Sequence, residues 1–269
     1  MDDGEGRKAG KVSFDGAQAR SLETVYQTPD LIAQRARVLD LLAPRPGEHI
    51  LDVGVGPGLL AYDLARLVGA SGRVVGLDVS ADMLAIARGR LAELPQAQCA
   101  LGDATDLQLD ETFDAAVSTQ VHEYVADIPR ALAALHRILR PGGRLLILDT
   151  DWRSIVWHSS DEVRMARVLS CWDDHLADPH LPAKLGPLLV RAGFEVRRVE
   201  ITPMLSPQWQ PASYSAGIFR AIAAFVKQNG PAHGLEAAEV DAWRSDQEDL
   251  IGRGEFFFSL NRYIFVATR

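Results

Sequence analysis

The segment LDVGVGPG (51–58) and two acids downstream, Asp78 and Asp103, are the residues of this 269-residue chain whose types and spacing speak most directly of chemistry. Gly54, Gly56 and Gly58 fall between a short apolar run and a run with helical periodicity. Glycines there let the backbone turn sharply and let a ligand lie against it with no Cβ in the way. The spacing is GxGxG with Asp52 just ahead of it; the dinucleotide fingerprint GxGxxG needs glycine at position 59, where this chain has Leu59. Asp78 ends the next apolar run, about twenty residues past the last glycine, where a carboxylate can accept from both hydroxyls of a ribose. Asp103 ends the run after that, placed to accept from an adenine amino group. One such acid alone reads as a turn or helix cap. Two at successive strand ends, beside a glycine turn, point to a nucleoside.

Further along, a fourth run ends in Ser118, Thr119, Gln120, Val121, His122, Glu123 and Tyr124, at the expected mouth of the site. His122 titrates near neutrality and is the first candidate for a general base, with Glu123 and Tyr124 as orienting partners or walls. The competing reading is a histidine that caps the next helix. Asp151, after the fifth run, is placed to touch a substrate. Asp173, Asp174, His175, Asp178 and His180 form an acid–histidine cluster in which 174 and 178 share a helix face and oxygen ligands would suit magnesium. No independent ligand set completes it, so it reads as a solvated helix end and no metal is expected. Trp152, Trp157, Trp209, Tyr214 and Phe219 either line an apolar pocket or fill the core. Arg262 is a candidate clamp for an anionic group.

The elements that must position these residues alternate. A helix starts at Thr28 and Pro29 and stops before Pro44. Strands follow at 49–55, 73–79, 98–102, 113–119 and 144–150, with helices at 59–68, from Ser80 to Leu91, and from Asp127 to Leu139, the last a clean 3.6-residue stripe. That order is the signature of a parallel sheet covered on both faces. After Asp151 the rhythm changes. Residues 152–180 read as helical, 183–192 as a helix ending at Gly193, EVRRVEITPM as a sixth strand, 212–228 and 235–251 as helices, and 256–269 as the last strand. The plan is α/β, a doubly wound, mostly parallel seven-stranded sheet with a helical insertion before the final strand. Residues 1–20 read as a flexible tail, 21–205 and 255–269 as the core, and 206–254 as an insertion or cap over the substrate site.

Composition sets outer limits. Hydrophobic residues make up 47% and charged residues 24%, an ordinary globular balance. The net charge of −8, with no run of Lys and Arg, argues against a nucleic-acid surface. The two cysteines, Cys99 and Cys171, make neither a disulfide scaffold nor a CxxC site. No long apolar run or signal-like start appears, so the expected location is the cytoplasm, with no membrane partner.

LDVGVGPG, GLDVSADML, GDATDL, FDAAVSTQVHEYV and ALHRILRPGGRLLILDTDW together resemble the successive motifs of class I S-adenosylmethionine-dependent methyltransferases, in particular the small-molecule ubiquinone/menaquinone-biosynthesis type. The likeness covers about residues 28–151. It implies a Rossmann-like fold, S-adenosylmethionine as cofactor with S-adenosylhomocysteine as product, and a small, hydrophobic or aromatic acceptor. By the same resemblance Asp52, Gly54, Gly56 and Gly58 line the methionine half, Asp78 holds the ribose, Met83 packs on the adenine, and Asp103 with Ala104 defines the adenine edge. Val79, Thr119 and Gln120 join that lining. Tyr26, Gln34 and Arg35 fall in the segment that covers the cofactor in such enzymes: Tyr26 would close over the sulfonium, and Arg35 either pairs with the cofactor carboxylate or is a solvated helix residue. Arsenite methyltransferases share this core but need more thiolates than two cysteines supply. An NAD(P)-linked oxidoreductase and a non-catalytic cofactor-binding regulator stay open as alternatives, as does assembly into a homodimer.

Overall fold

Each strand is short, apolar over most of its length and followed by a turn that starts a helix, and the chain winds accordingly. The computed structural model describes residues 23–269; the tail expected over residues 1–20 lies outside them. The elements in order are α1 (Pro29–Leu42), β1 (His49–Val53), α2 (Leu59–Val68), β2 (Arg73–Asp78), α3 (Ala81–Leu91), β3 (Ala97–Leu101), β4 (Phe113–Thr119), α4 (Ile128–Ile138), β5 (Leu139–Trp157), α5 (Glu162–Asp173), α6 (Pro182–Arg191), β6 (Glu195–Ser206), α7 (Tyr214–Asn229), α8 (Ala237–Gly252) and β7 (Phe258–Thr268). The seven strands form one sheet in the order β3-β2-β1-β4-β5-β7-β6. β1 to β5 pair in parallel, and β7 runs antiparallel to β5 and β6.

Continuous apolar runs such as Leu145–Leu148 suit strands covered on both faces. One face packs on α4 and α6 through Leu132, Leu135, Leu185 and Leu189; the other packs on α1, α2 and α3 through Val38, Leu64 and Leu84. Local signals start several helices as read. Ser80 Oγ accepts from the Met83 amide (3.2 Å), and Asp127 Oδ1 from that of Arg130 (3.0 Å). Thr28 departs from its expected cap role: its hydroxyl donates to the Val25 carbonyl (2.8 Å) and caps nothing. The strand order reverses between β1 and β4, so the turns after these two strands open on the same edge, where ligands of such sheets bind.

Two boundaries differ from expectation. β5 starts at Leu139, ahead of Pro141-Gly142-Gly143, and continues past Asp151 to Trp157 where a helix was expected. The reason is tertiary. β7 is long enough to pair with the extension (Val156 opposite Ser259, Trp157 opposite Phe258), and the irregularity between Asp151 and Val156 is held by Ser154 Oγ, which accepts from the Asn261 amide at 2.8 Å. The helical layer of 206–254 packs against this extension and α5 in an aromatic cluster of its own. At its centre Trp243, fully buried, meets Trp157 (centroids 5.9 Å apart) and Phe219 (5.3 Å) edge-on or tilted. Among the described residues no helix is long and apolar enough to cross a membrane.

Candidate functional site

The turn after β1 is built on left-handed backbone at Gly54 (φ 74°) and Gly56 (φ 52°). The two glycines differ in what they face. A Cβ on Gly54 would stand 2.1 Å from Cγ2 of Val121, so this glycine lets the turn after β4 close over it. A Cβ on Gly56 would meet nothing within 4 Å. Gly56 therefore faces open space, at the wall of a cleft also lined by Tyr26, Gln34, Arg35, Thr119 and Gln120. Gly58 lies against Ala87 of α3.

Asp52 is buried beneath this turn, its Oδ2 without a partner. Burial pushes its carboxyl up to about 7, and the nearby Asp78 charge adds to the shift. A buried acid with an unpartnered oxygen, two residues ahead of the cleft-lining Gly54, fits a ligand that brings a positive charge or several donors. Asp78 spans the loop. Its Oδ2 accepts from the Gly56 amide (2.8 Å) and its Oδ1 from the Ser80 amide (2.9 Å), which holds the glycine turn against α3 and leaves lone pairs for hydroxyls. Desolvation raises its pKa against these bonds. At the same edge Val79, just after β2, and Leu101, the last residue of β3, stand 65% and 68% exposed, apolar surface suited to a flat base, while Met83 and Ala104 are buried. Asp103 lies just beyond β3 rather than on it. It is exposed and accepts from the amide (2.7 Å) and hydroxyl (2.7 Å) of Thr105, which lowers its pKa.

Gln120, with φ 58°, turns the chain after β4 inward. In consequence His122, expected at the open mouth, is enclosed in a 3-10 turn (His122–Tyr124). Its Nδ1 lies 3.1 Å from Ser118 Oγ and 3.9 Å from Asp149 Oδ2, and its Nε2 has no partner. Burial lowers its pKa to about 4. It is a neutral side chain of the floor, too weakly basic to take a proton efficiently near neutrality. Glu123 is equally buried, its Oε2 accepting from the Thr150 amide at 2.9 Å while Oε1 is unpartnered; burial pushes its carboxyl up to about 7. The Trp152 indole and the Thr150 hydroxyl approach it without completing hydrogen bonds. Asp149 accepts from the Val121 amide (3.0 Å), and burial raises its pKa well above the ordinary value. Tyr26 is pushed up to about 12 by burial and so keeps its proton. Arg35 is not free: it pairs with Asp63 (2.9 Å) and reaches the Tyr26 carbonyl (3.4 Å) while still lining the cleft.

Arg262, a candidate clamp from the sequence, belongs to a second constellation whose pairing with Gln34 the sequence did not suggest. Arg262 on β7 is fully buried, its Nη1 donating to Gln34 Oε1 at 2.5 Å and its guanidinium carbon 4.4 Å from the Tyr214 ring centre. The available signal was Gln34, a polar residue on the apolar stripe Leu31, Val38 and Leu42 of α1. The acid–histidine cluster of α5 disperses: His175 stacks on Trp172, Asp174 pairs with His233, Asp178 with Lys184, and His180 with Asp151 (2.7 Å). His175 is buried, which departs from the solvated helix end expected there. Among the described residues no three acids, histidines or cysteines are grouped to hold a metal. Of the five aromatics, Trp152, Trp157 and Phe219 are buried in the aromatic cluster and Trp209 packs against it, whereas Tyr214 faces Arg262.

The chain matches a family model described as a methyltransferase domain over residues 51–147. An uncharacterised 37.1 kDa protein in transposon Tn4556 of Streptomyces fradiae is 34% identical over 97% of this chain and 74% of its own length. A demethylmenaquinone methyltransferase of Symbiobacterium thermophilum is 42% identical over 111 residues, 40% of this chain and 44% of that enzyme, so this chain spans under half the length of that curated relative. Among solved structures, phosphoethanolamine N-methyltransferase 2 of Haemonchus contortus in complex with S-adenosyl-L-methionine gives a TM-score of 0.61 at 21% identity, covering 97% of this chain and 60% of that one. A likeness of that degree carries the fold.

Proposed function

The chain belongs to the class I S-adenosylmethionine-dependent methyltransferases, and from that premise we propose that it methylates a small, hydrophobic or aromatic acceptor of quinol type. The observation that carries the cofactor half is the orphaned Asp52 carboxyl under a glycine turn that faces open space at Gly56. The acceptor half is supported by the menaquinone-type relative and by the apolar and aromatic walls beside the cleft.

S-adenosylmethionine, when bound, supplies an electrophilic methyl group on a sulfonium with a neutral leaving group, so positioning provides most of the catalysis. Asp52 receives the ammonium of its amino-acid tail, and Arg35 its carboxylate. Asp78 takes the ribose hydroxyls with the lone pairs left over from Gly56 and Ser80. Val79, Met83, Leu101 and Ala104 sandwich the base, and Asp103 accepts from its amino group. Thr119 and Gln120 at the end of β4, with Tyr26 from the segment before α1, enclose the methyl donor. Tyr26 acts as a hydrogen-bond donor. Glu123, whose carboxyl titrates near neutrality, is a better proton acceptor for a phenolic acceptor than His122. Residues 206–254 form the cap over this site, and the enzyme works in the cytoplasm.

The test is turnover. Purified protein incubated with S-adenosylmethionine and reduced 1,4-naphthoquinone should form S-adenosylhomocysteine and a methylated naphthoquinol in equal amounts, read by mass spectrometry. Tight cofactor binding with no transfer to reduced naphthoquinones or benzoquinones would sink the acceptor assignment.

A further inference from the structure

We infer, building on the function just proposed, that Arg262 anchors an acidic oxygen of the acceptor, a carboxylate or ionised phenol carried on an aromatic ring. The guanidinium is fully buried yet bonds one neutral partner, the Gln34 amide. Its Nε and Nη2 meet no acceptor, and no carboxylate among the described residues forms an ion pair with it. Arginine cannot shed its proton to escape this position, and a buried charge without an anion is strongly unfavourable. The ring of Tyr214 gives it a cation–π contact, and the Tyr214 hydroxyl close by is a neutral group that supplies no counter-charge.

The surroundings describe the missing partner. Glu123 lies near enough to feel the Arg262 charge, but its Oε2 is taken by the Thr150 amide and its Oε1 is free. A half-used carboxyl and a half-used guanidinium are therefore both buried and close enough to influence one another. A group that accepts from one and donates to the other satisfies both, as a ring bearing a carboxylate beside a hydroxyl does. Two parallel N–H donors suit a carboxylate edge in particular. Trp152, Tyr214 and Tyr26 belong to the aromatic cluster on this side of the sheet.

Arg262 is set apart from the cofactor by topology. β7 stands three strands from β1 in the sheet order, roughly 14 Å at about 4.8 Å per strand. The glycine turn and Asp52 lie at the far end of that span. Gln34, which lines the cleft, bridges the two regions through its bond to Arg262.

The experiment titrates 1-hydroxy-2-naphthoate and its methyl ester into protein saturated with S-adenosylhomocysteine, following naphthalene fluorescence. The acid should bind at least tenfold more tightly than the ester. Arg262→Gln should remove that preference, Arg262→Lys should keep only part of it because lysine lacks the planar fork, and neither should alter S-adenosylhomocysteine affinity by more than about twofold. Equal binding of acid and ester to the wild type, binding of neither, or an acid preference that survives in Arg262→Gln would overturn the assignment. So would S-adenosylhomocysteine affinity falling in step with that of the acid, which would give Arg262 to the cofactor. The acid-to-ester ratio of the wild type needs no variant, so a poorly folding substitution leaves the test intact. Failure of the wild type to bind S-adenosylhomocysteine at all is a separate readout, and it would count against the methyltransferase function rather than against Arg262 alone.

Discussion

Replacing Asp52 with asparagine should make the empty protein more stable above neutral pH while weakening its hold on the cofactor. The native carboxyl sits near 7, against 3.8 in an unfolded chain, so between those values the folded protein keeps a proton that the unfolded chain releases. Its contribution to stability accordingly falls as the pH rises through that window. A shift of this size corresponds to a penalty on the order of 4 kcal/mol at pH 8, at about 1.36 kcal/mol per unit. Asparagine has the same shape and no charge to bury. Other buried groups act in the same range: His122 and His175, both lowered to about 4, lose stability as the pH falls below 6.5, opposite in sign to Asp52. The difference between variant and wild type isolates the Asp52 contribution. Urea unfolding at pH 5 and pH 8 should show the variant gaining one to several kcal/mol more at pH 8 than at pH 5, by that same arithmetic. Calorimetry with S-adenosylhomocysteine should show at least a tenfold loss of affinity, since the ammonium loses its counter-charge. Binding to the wild type at pH 7 should also release protons, measured as a buffer-dependent heat. A variant less stable than wild type at pH 8, or one with unchanged affinity, would refute the reasoning.

Two further substitutions probe the architecture. Gly54→Ala combines left-handed strain with a clash on Val121 and should cost about 2–4 kcal/mol; Val121→Ala in the same chain should recover the steric share, about 1–2 kcal/mol, in a double-mutant cycle read by urea unfolding. Additive losses would contradict the contact. Trp243→Ala should destabilise by about 3–5 kcal/mol through the cavity it leaves between the 206–254 helices and the sheet, with the midpoint of unfolding falling in thermal scans. A loss below about 1 kcal/mol would mean that these helices are not packed as described.

The alternation of elements through Asp151 was legible because its determinants are local. Ser80 and Asp127 cap by their own side chains, and the stripe Ile128, Ala131, Leu132, Leu135 needs only its 3.6-residue period. The extension of β5 to Trp157 was not legible, since its hydrogen bonds come from Phe258 and Ser259, about a hundred positions later. The same division runs through the site. The glycine turn and Asp78 lie within one βαβ unit and could be read as a nucleoside cradle. His122 looked accessible from its place after a strand, but Gln120 turns it inward, a backbone event with no mark in residue type. The pairing of Arg262 with Gln34 joins positions 228 residues apart, and only folding brings them together.

The most direct check is a calorimetric titration of the wild-type protein with S-adenosylhomocysteine and, separately, with NAD. A cradle made for an adenosine with an amino-acid tail should bind the first with a stoichiometry near one and leave the second without heat. Heat with NAD alone, or with neither ligand on demonstrably folded protein, would contradict it.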